Sequence, residues 1–162
     1  MTDTPTSTDS DDSDEATSFR RFEEALPIAL LRSREAVMAR FRPHLARHGM
    51  TEQQWRVIRV VQQRPGIDAT ALSEACCILM PSLSRMLKAL EKDDLLIRQK
   101  VEDDQRRQVI TLTPQGEAKF AEMVPQAEAI YAQIEAEFGK NEMDGLIEKL
   151  QVLRRNLKTP SE

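Results

Sequence analysis

The hydrophobic period of this chain changes once. Nearly everywhere, apolar residues recur three or four positions apart, the spacing that lines one face of a helix. Between Leu95 and Thr113 that spacing gives way to alternation. There "LLIRQKV" and "RQVITLT" are rich in Ile, Val and Thr and flank the short polar "EDDQ". Side chains repeat every second residue on a strand and about every 3.6 on a helix, so one segment cannot satisfy both patterns. A single pair of alternating runs predicts one two-stranded hairpin. Such a hairpin is marginal alone and must rest on the helices around it.

The helices follow from the remaining pattern. Phe22, Leu26, Leu30, Val37, Phe41 and Leu45 mark a first helix, with Pro27 at its start, Pro43 tightening its last turn and Gly49 ending it. "TEQQWRVIRVVQQRPG" opens with Thr51 and Gln54 at capping-box spacing and turns Trp55, Ile58 and Val61 inward. Asp68 caps the short helix "ATALSEAC", whose Leu72 and Ala75 are expected inside, and a break follows around Cys77–Leu79. "MPSLSRMLKALEKDD" carries Leu83, Met86, Leu87 and Leu90 as one stripe. After the hairpin, Thr113–Pro114 opens a long helix that Pro125 should bend and Gly139 should end, and a final helix runs through Leu157. Three short helices followed by a hairpin is the plan of a winged helix-turn-helix. The predicted fold class is mainly α: a winged helix-turn-helix with a two-stranded β-hairpin wing and helical dimerisation regions from both termini.

The predicted organisation is a disordered acidic leader at 1–18, an N-terminal helix at 19–49, a DNA-binding domain at 50–113 and C-terminal helices at 114–158. Within the DNA-binding domain, the recognition helix spans about 80–92 and the wing about 96–113. Net charge is −4, yet the leader holds six acids and no base. Removing it leaves 23 bases against 21 acids, a mildly basic body. No apolar run approaches the ~20 residues that cross a bilayer, and no signal pattern opens the chain. The adjacent Cys76 and Cys77 make no disulfide framework, and the expected compartment is the cytoplasm.

Two segments point to nucleic acid. The apolar stripe of "PSLSRMLKALEK" leaves Ser82, Ser84, Arg85 and Lys88 on the opposite side. Short hydroxyl donors reach base edges or phosphates, arginine grips guanine bidentately and lysine neutralises phosphate. An ordinary amphipathic helix shows the same division, so this helix alone does not decide. The hairpin tips the balance. Gln105, Arg106 and Arg107 stand at its tip, and arginine suits a narrow minor groove, where the potential is most negative. Asp104, two residues away, is read as orienting Arg106 through paired hydrogen bonds.

The run from Thr51 to Phe120 resembles the MarR family of bacterial transcriptional regulators. Asp104, Arg106, Ile110, Leu112 and Thr113 match its D-x-R-x-x-x-[VI]-x-L-T wing pattern, and Gly116 follows. "TEQQWRVIR", "CCILMPSLSRMLKALEKDDLL" and "DQRR" resemble the branch that regulates homoprotocatechuate degradation. The likeness spans roughly residues 26 to 155. It implies a homodimer, a pseudo-palindromic double-stranded operator, and repression relieved by a small aromatic acid. It also implies effector binding between the dimer helices and the DNA-binding lobe.

The dimer is expected on physical grounds too, because the winged helix is too small to cover the apolar stripes of both terminal regions. For the effector, Ser33, Arg40 and His44 share a face of the first helix, Arg34 borders it, and Trp55 sits early in the next. A cation beside apolar walls can hold an aromatic carboxylate. Two further readings stand beside this one. Cys76 and Cys77 would make a redox-sensing regulator, although buried, inert thiols are expected. A winged helix can also serve as a protein-interaction module without DNA. An enzyme is not expected: His44 and His48 are the only histidines, and neither a phosphate-cradling glycine loop nor a nucleophile elbow is present. No cofactor or metal is expected.

Overall fold

The computed structural model describes the backbone of residues 21–101 and 104–157, with the side chains of Val101 and residues 104–107 left aside. The leader at 1–18 lies outside the described residues. A 3₁₀ turn, Phe22–Glu24, precedes α1 (Leu26–Arg47), α2 (Glu52–Gln63), α3 (Ala69–Cys76) and α4 (Met80–Lys92). Strands β1 (Leu96–Val101) and β2 (Asp104–Leu112) follow, then α5 (Pro114–Phe138) and α6 (Lys140–Leu157). This is the mainly helical winged helix-turn-helix expected from the period change.

Local chemistry accounts for the boundaries. The Thr51 hydroxyl accepts from the Gln54 N–H at 3.1 Å while the Gln54 amide oxygen accepts from the Thr51 N–H at 2.9 Å, closing the capping box of α2. Asp68 accepts from the Ala71 N–H at 2.9 Å, and Thr113 accepts from the Gly116 N–H at 3.0 Å. Cys77 ends α3 in the left-handed region at φ 51°, and the Ile78 N–H reaches back to the Ser73 carbonyl. One inward position differs from expectation. Leu72 and Cys76, four apart, form the buried edge of α3, and Ala75 falls outside it, exposed. Both internal prolines lie within their helices. Pro43 and Pro125 sit on exposed flanks of uninterrupted helices, where water can take the place of the missing backbone hydrogen bond.

The chain divides after Ala36 into two units. The first holds the opening of α1, with Leu26, Leu30 and Leu31 exposed. The second holds a core in which Ile58, Leu72, Leu83, Ile110 and Met123 are fully buried. Strands β1 and β2 pair antiparallel from Leu96 with Leu112 to Lys100 with Gln108, with an irregularity at Lys100/Val101. Ile67, after α2, bridges to Ile110, so the loop supports the root of the wing. Helix α4, the root of the hairpin and α2 therefore share one core.

Candidate nucleic-acid interface and effector cavity

Helix α4 turns Leu83, Leu87 and Leu90 into the core. Arg85 and Lys88 are exposed on its outer side, and Ser82 and Ser84 are half-buried along its flanks. The serines are therefore less accessible than the two cations. Beside Ser82 and Arg85 lies an open depression that Thr51, Gln53 and Gln54 complete, so the start of α2 borders the same face. Gln53 was not singled out from sequence, because nothing in spacing links it to α4.

The wing is tied to α4 through its root. Arg98 on β1 donates to both Glu91 carboxylate oxygens, at 2.8 and 2.5 Å, in a half-buried pair. The guanidinium holds the Glu91 carboxyl below its ordinary range, and the carboxylate raises Arg98. The Asp104–Arg106 pairing, with Gln105 and Arg107, rests on side chains outside the described residues.

A cavity of about 290 Å³ opens between the C-terminal half of α1, helix α2 and α5. Its walls include Val37, Met38, Phe41, Trp55 and Tyr131, and its cations are Arg56 and Arg59. Its volume lies at the lower edge of the ~300–1,000 Å³ typical of ligand sites. Trp55 is buried and stacks on Phe120, ring centroids 5.4 Å apart. Phe41 meets Tyr131 at 4.9 Å. Arg59 donates to the Tyr131 hydroxyl at 3.1 Å and lies 5.9 Å from the tyrosine ring centroid. Arg56 donates to the Cys76 carbonyl at 2.7 Å. Both guanidinium groups thus donate to neutral acceptors, and Glu52, paired with Arg42, adds a carboxylate to the same lining.

The expected effector residues are dispersed. Trp55 lines the cavity. Arg40 is exposed and makes a bidentate pair with Glu137, at 2.9 and 2.7 Å. His44 is buried away from the cavity, its Nε2 3.0 Å from the Met123 carbonyl, and burial lowers its pKa. Ser33 and Arg34 are exposed in the first unit, where Arg34 pairs with Glu35. Arg56, Arg59 and Tyr131 were missed. Their signal was present, since Arg56 and Arg59 stand three apart beside Trp55 on a helix that is otherwise apolar inside, but Tyr131 joins them only through folding. A second, more open cavity of about 440 Å³ is edged by His48, Gln54, Asp93, Gln115, Lys119 and Glu122, and lacks an aromatic wall.

The two thiols separate. Cys76 is buried, and burial raises its pKa. Cys77, expected to be buried, is exposed, because the left-handed turn that ends α3 directs its side chain outward.

These features define a winged helix-turn-helix with a cation-bearing aromatic cavity between α1, α2 and α5. The MarR family pattern matches residues 50–107. The homoprotocatechuate degradative operon repressor of Escherichia coli is 43% identical over 128 residues, covering 79% of this chain and 86% of that protein. The chain belongs to the MarR family and is a transcriptional regulator rather than an enzyme. The crystal structure of NadR in complex with 4-hydroxyphenylacetate superposes with a TM-score of 0.75 at 36% identity, covering 83% of this chain and 96% of that one. The repressor CouR bound to a 23-mer DNA duplex matches with a TM-score of 0.75 at 26% identity, covering 85% and 99%. Among the described residues no helix is long and apolar enough to cross a membrane.

Proposed function

We propose that this chain is a homodimeric repressor of an operon for aromatic-compound breakdown, released from its operator by a small aromatic acid. The observation that carries the reading is the cavity at α2, where Arg56 and Arg59 line one wall beside Trp55 and Tyr131. In this reading the aromatic ring lies against the apolar walls of the cavity and the Arg59 guanidinium meets the carboxylate. The relative that binds 4-hydroxyphenylacetate supports this ligand class. On the DNA side, Arg85 and Lys88, flanked by Ser82 and Ser84, enter the major groove. Gln105, Arg106 and Arg107 work at the minor groove, with Asp104 orienting Arg106. The relative bound to a DNA duplex supports the arrangement.

The test is fluorescence anisotropy with duplex from the chain's own upstream region, against scrambled duplex, at several salt concentrations. Sequence-dependent binding that weakens steeply with salt is expected, because phosphate neutralisation releases counterions. Addition of 4-hydroxyphenylacetate or homoprotocatechuate should raise the operator dissociation constant. Absence of binding to any duplex at low salt would make a protein-interaction module the better reading.

A further inference from the structure

We propose that Arg56 is the coupling residue between the cavity and the recognition helix, and that an aromatic carboxylate releases DNA by drawing its guanidinium off the Cys76 carbonyl. The inference rests on the reading of the cavity as the effector site. It begins with the connection between α3 and α4. That connection is held by the Cys77 N–H on the Glu74 carbonyl, the Ile78 N–H on the Ser73 carbonyl and the Ser73 hydroxyl on the Ile78 carbonyl at 2.6 Å. All three lie within residues 73–78. Among the described residues, the bond from Arg56 to Cys76 is the one hydrogen bond that reaches this connection from α2.

The bond sits where it matters. Cys76 is the last residue of α3, so its carbonyl has no partner further along the helix and needs an outside donor. Recognition helix α4 starts four residues later, at Met80, and Leu79 gives it no side-chain cap. The setting of the N-terminal end of α4 therefore depends on its apolar stripe and on this short connection. Arg56 supplies a cross-link from α2, the helix whose inner face anchors the core.

The opposite side of Arg56 faces the cavity. Glu52, Arg56, Arg59 and Gln63 fall on one stripe of α2, and all four line the same space. A carboxylate bound at Arg59 stands one helical turn from Arg56. A guanidinium–carboxylate pair is charged on both sides and can close two parallel hydrogen bonds, whereas the bond to the Cys76 carbonyl is charged on the donor side alone, so the acid outcompetes Cys76. The orphaned carbonyl then forces the connection to rearrange, and α4 loses its setting. Coupling of this kind is reciprocal, so operator DNA must weaken acid binding by the same factor.

The experiment uses the full chain, its operator duplex and 4-hydroxyphenylacetate. Trp55, the single tryptophan, reports acid binding by its emission, anisotropy reports DNA, and hydrogen exchange reports the amides of residues 77–79. Arg56→Met should weaken operator binding about tenfold without acid, speed exchange at 77–79, and shrink the further release by acid toward none. Arg56→Lys, which keeps a cationic donor, should restore much of the affinity and guards against a simple folding defect. An Arg56→Met protein with wild-type operator affinity and wild-type release by the acid would overturn the coupling while leaving the effector site intact. A wild-type protein whose Trp55 emission ignores the acid would overturn the effector reading, and the competition with it.

Discussion

Two single residues show how closely packing constrains this molecule. Gly116, in the first turn of α5, leaves no room for a methyl group: a Cβ there would lie 1.9 Å from the Leu95 carbonyl oxygen. That oxygen already accepts from the Thr113 N–H at 3.2 Å, so it belongs to the joint between wing and α5. Gly116→Ala must push two backbones apart and should cost upward of ~3 kcal/mol, read as a fall in denaturant midpoint. His44 sets a pH limit. Its burial disfavours the cation, and its neighbours His48 and Arg47 add to that, against the Met123 carbonyl that favours it. Its folded pKa is therefore depressed, so the unfolded chain takes up the proton first. Stability should be level above about pH 7 and fall as pH drops below the ordinary histidine value of ~6.5. Melting temperatures of wild type and His44→Gln between pH 7.5 and 5.5 check this, the variant showing the flatter profile.

At the scale of elements, the pair between Glu91 and Arg98 joins the end of α4 to the first strand of the wing. It is bidentate, and the two side chains are only 28% and 27% exposed, so it should be worth more than the ~0–1 kcal/mol of a fully solvated pair. Glu91→Gln should lower stability by about 1 kcal/mol. It should also weaken operator binding several-fold, because the wing loses its fixed angle to the recognition helix. Anisotropy and urea melts on the same protein separate the two effects. This joint was not legible in the sequence, although the elements it connects were. Period switching exposed the hairpin, while Thr51, Asp68 and Thr113 announced their helix starts through side chains that act within three residues of themselves. Cys77 went the other way, because whether a residue faces inward after a left-handed turn depends on the turn and not on the periodicity before it. The cavity was half legible. Trp55 was identified, but Arg59 and Tyr131 are 72 positions apart and meet only in the folded chain. His44 shared the helical spacing of the expected ligand face, and packing claimed it instead.

For the whole molecule, the decisive feature is what the chain leaves uncovered. Helix α6 has 18 residues, and none of them is buried. Leu146, Leu150, Leu153 and Leu157 nevertheless recur along it at helical spacing, with Ile147 beside them. In the first unit, Leu26, Leu30 and Leu31 are likewise exposed on α1. Exposed apolar residues repeated along a helix are unusual on a monomer, and a second copy supplying the same helices would cover them. Two-fold pairing also presents two recognition helices to one face of the duplex, as a pseudo-palindromic operator requires. Dimerisation and operator affinity should therefore fail together. Leu150→Glu places a charge in the centre of the α6 stripe and should shift sedimentation from dimer toward monomer. Since α6 contributes no buried residue to its own chain, the winged-helix core should keep its helical circular dichroism. Operator affinity should drop by at least a hundredfold, since a single half-site forfeits one partner's base and phosphate contacts, each worth ~1–3 kcal/mol. A Leu150→Glu protein that sediments as a dimer would remove α6 from the interface. A monomer with undiminished operator affinity would break the link between pairing and DNA recognition.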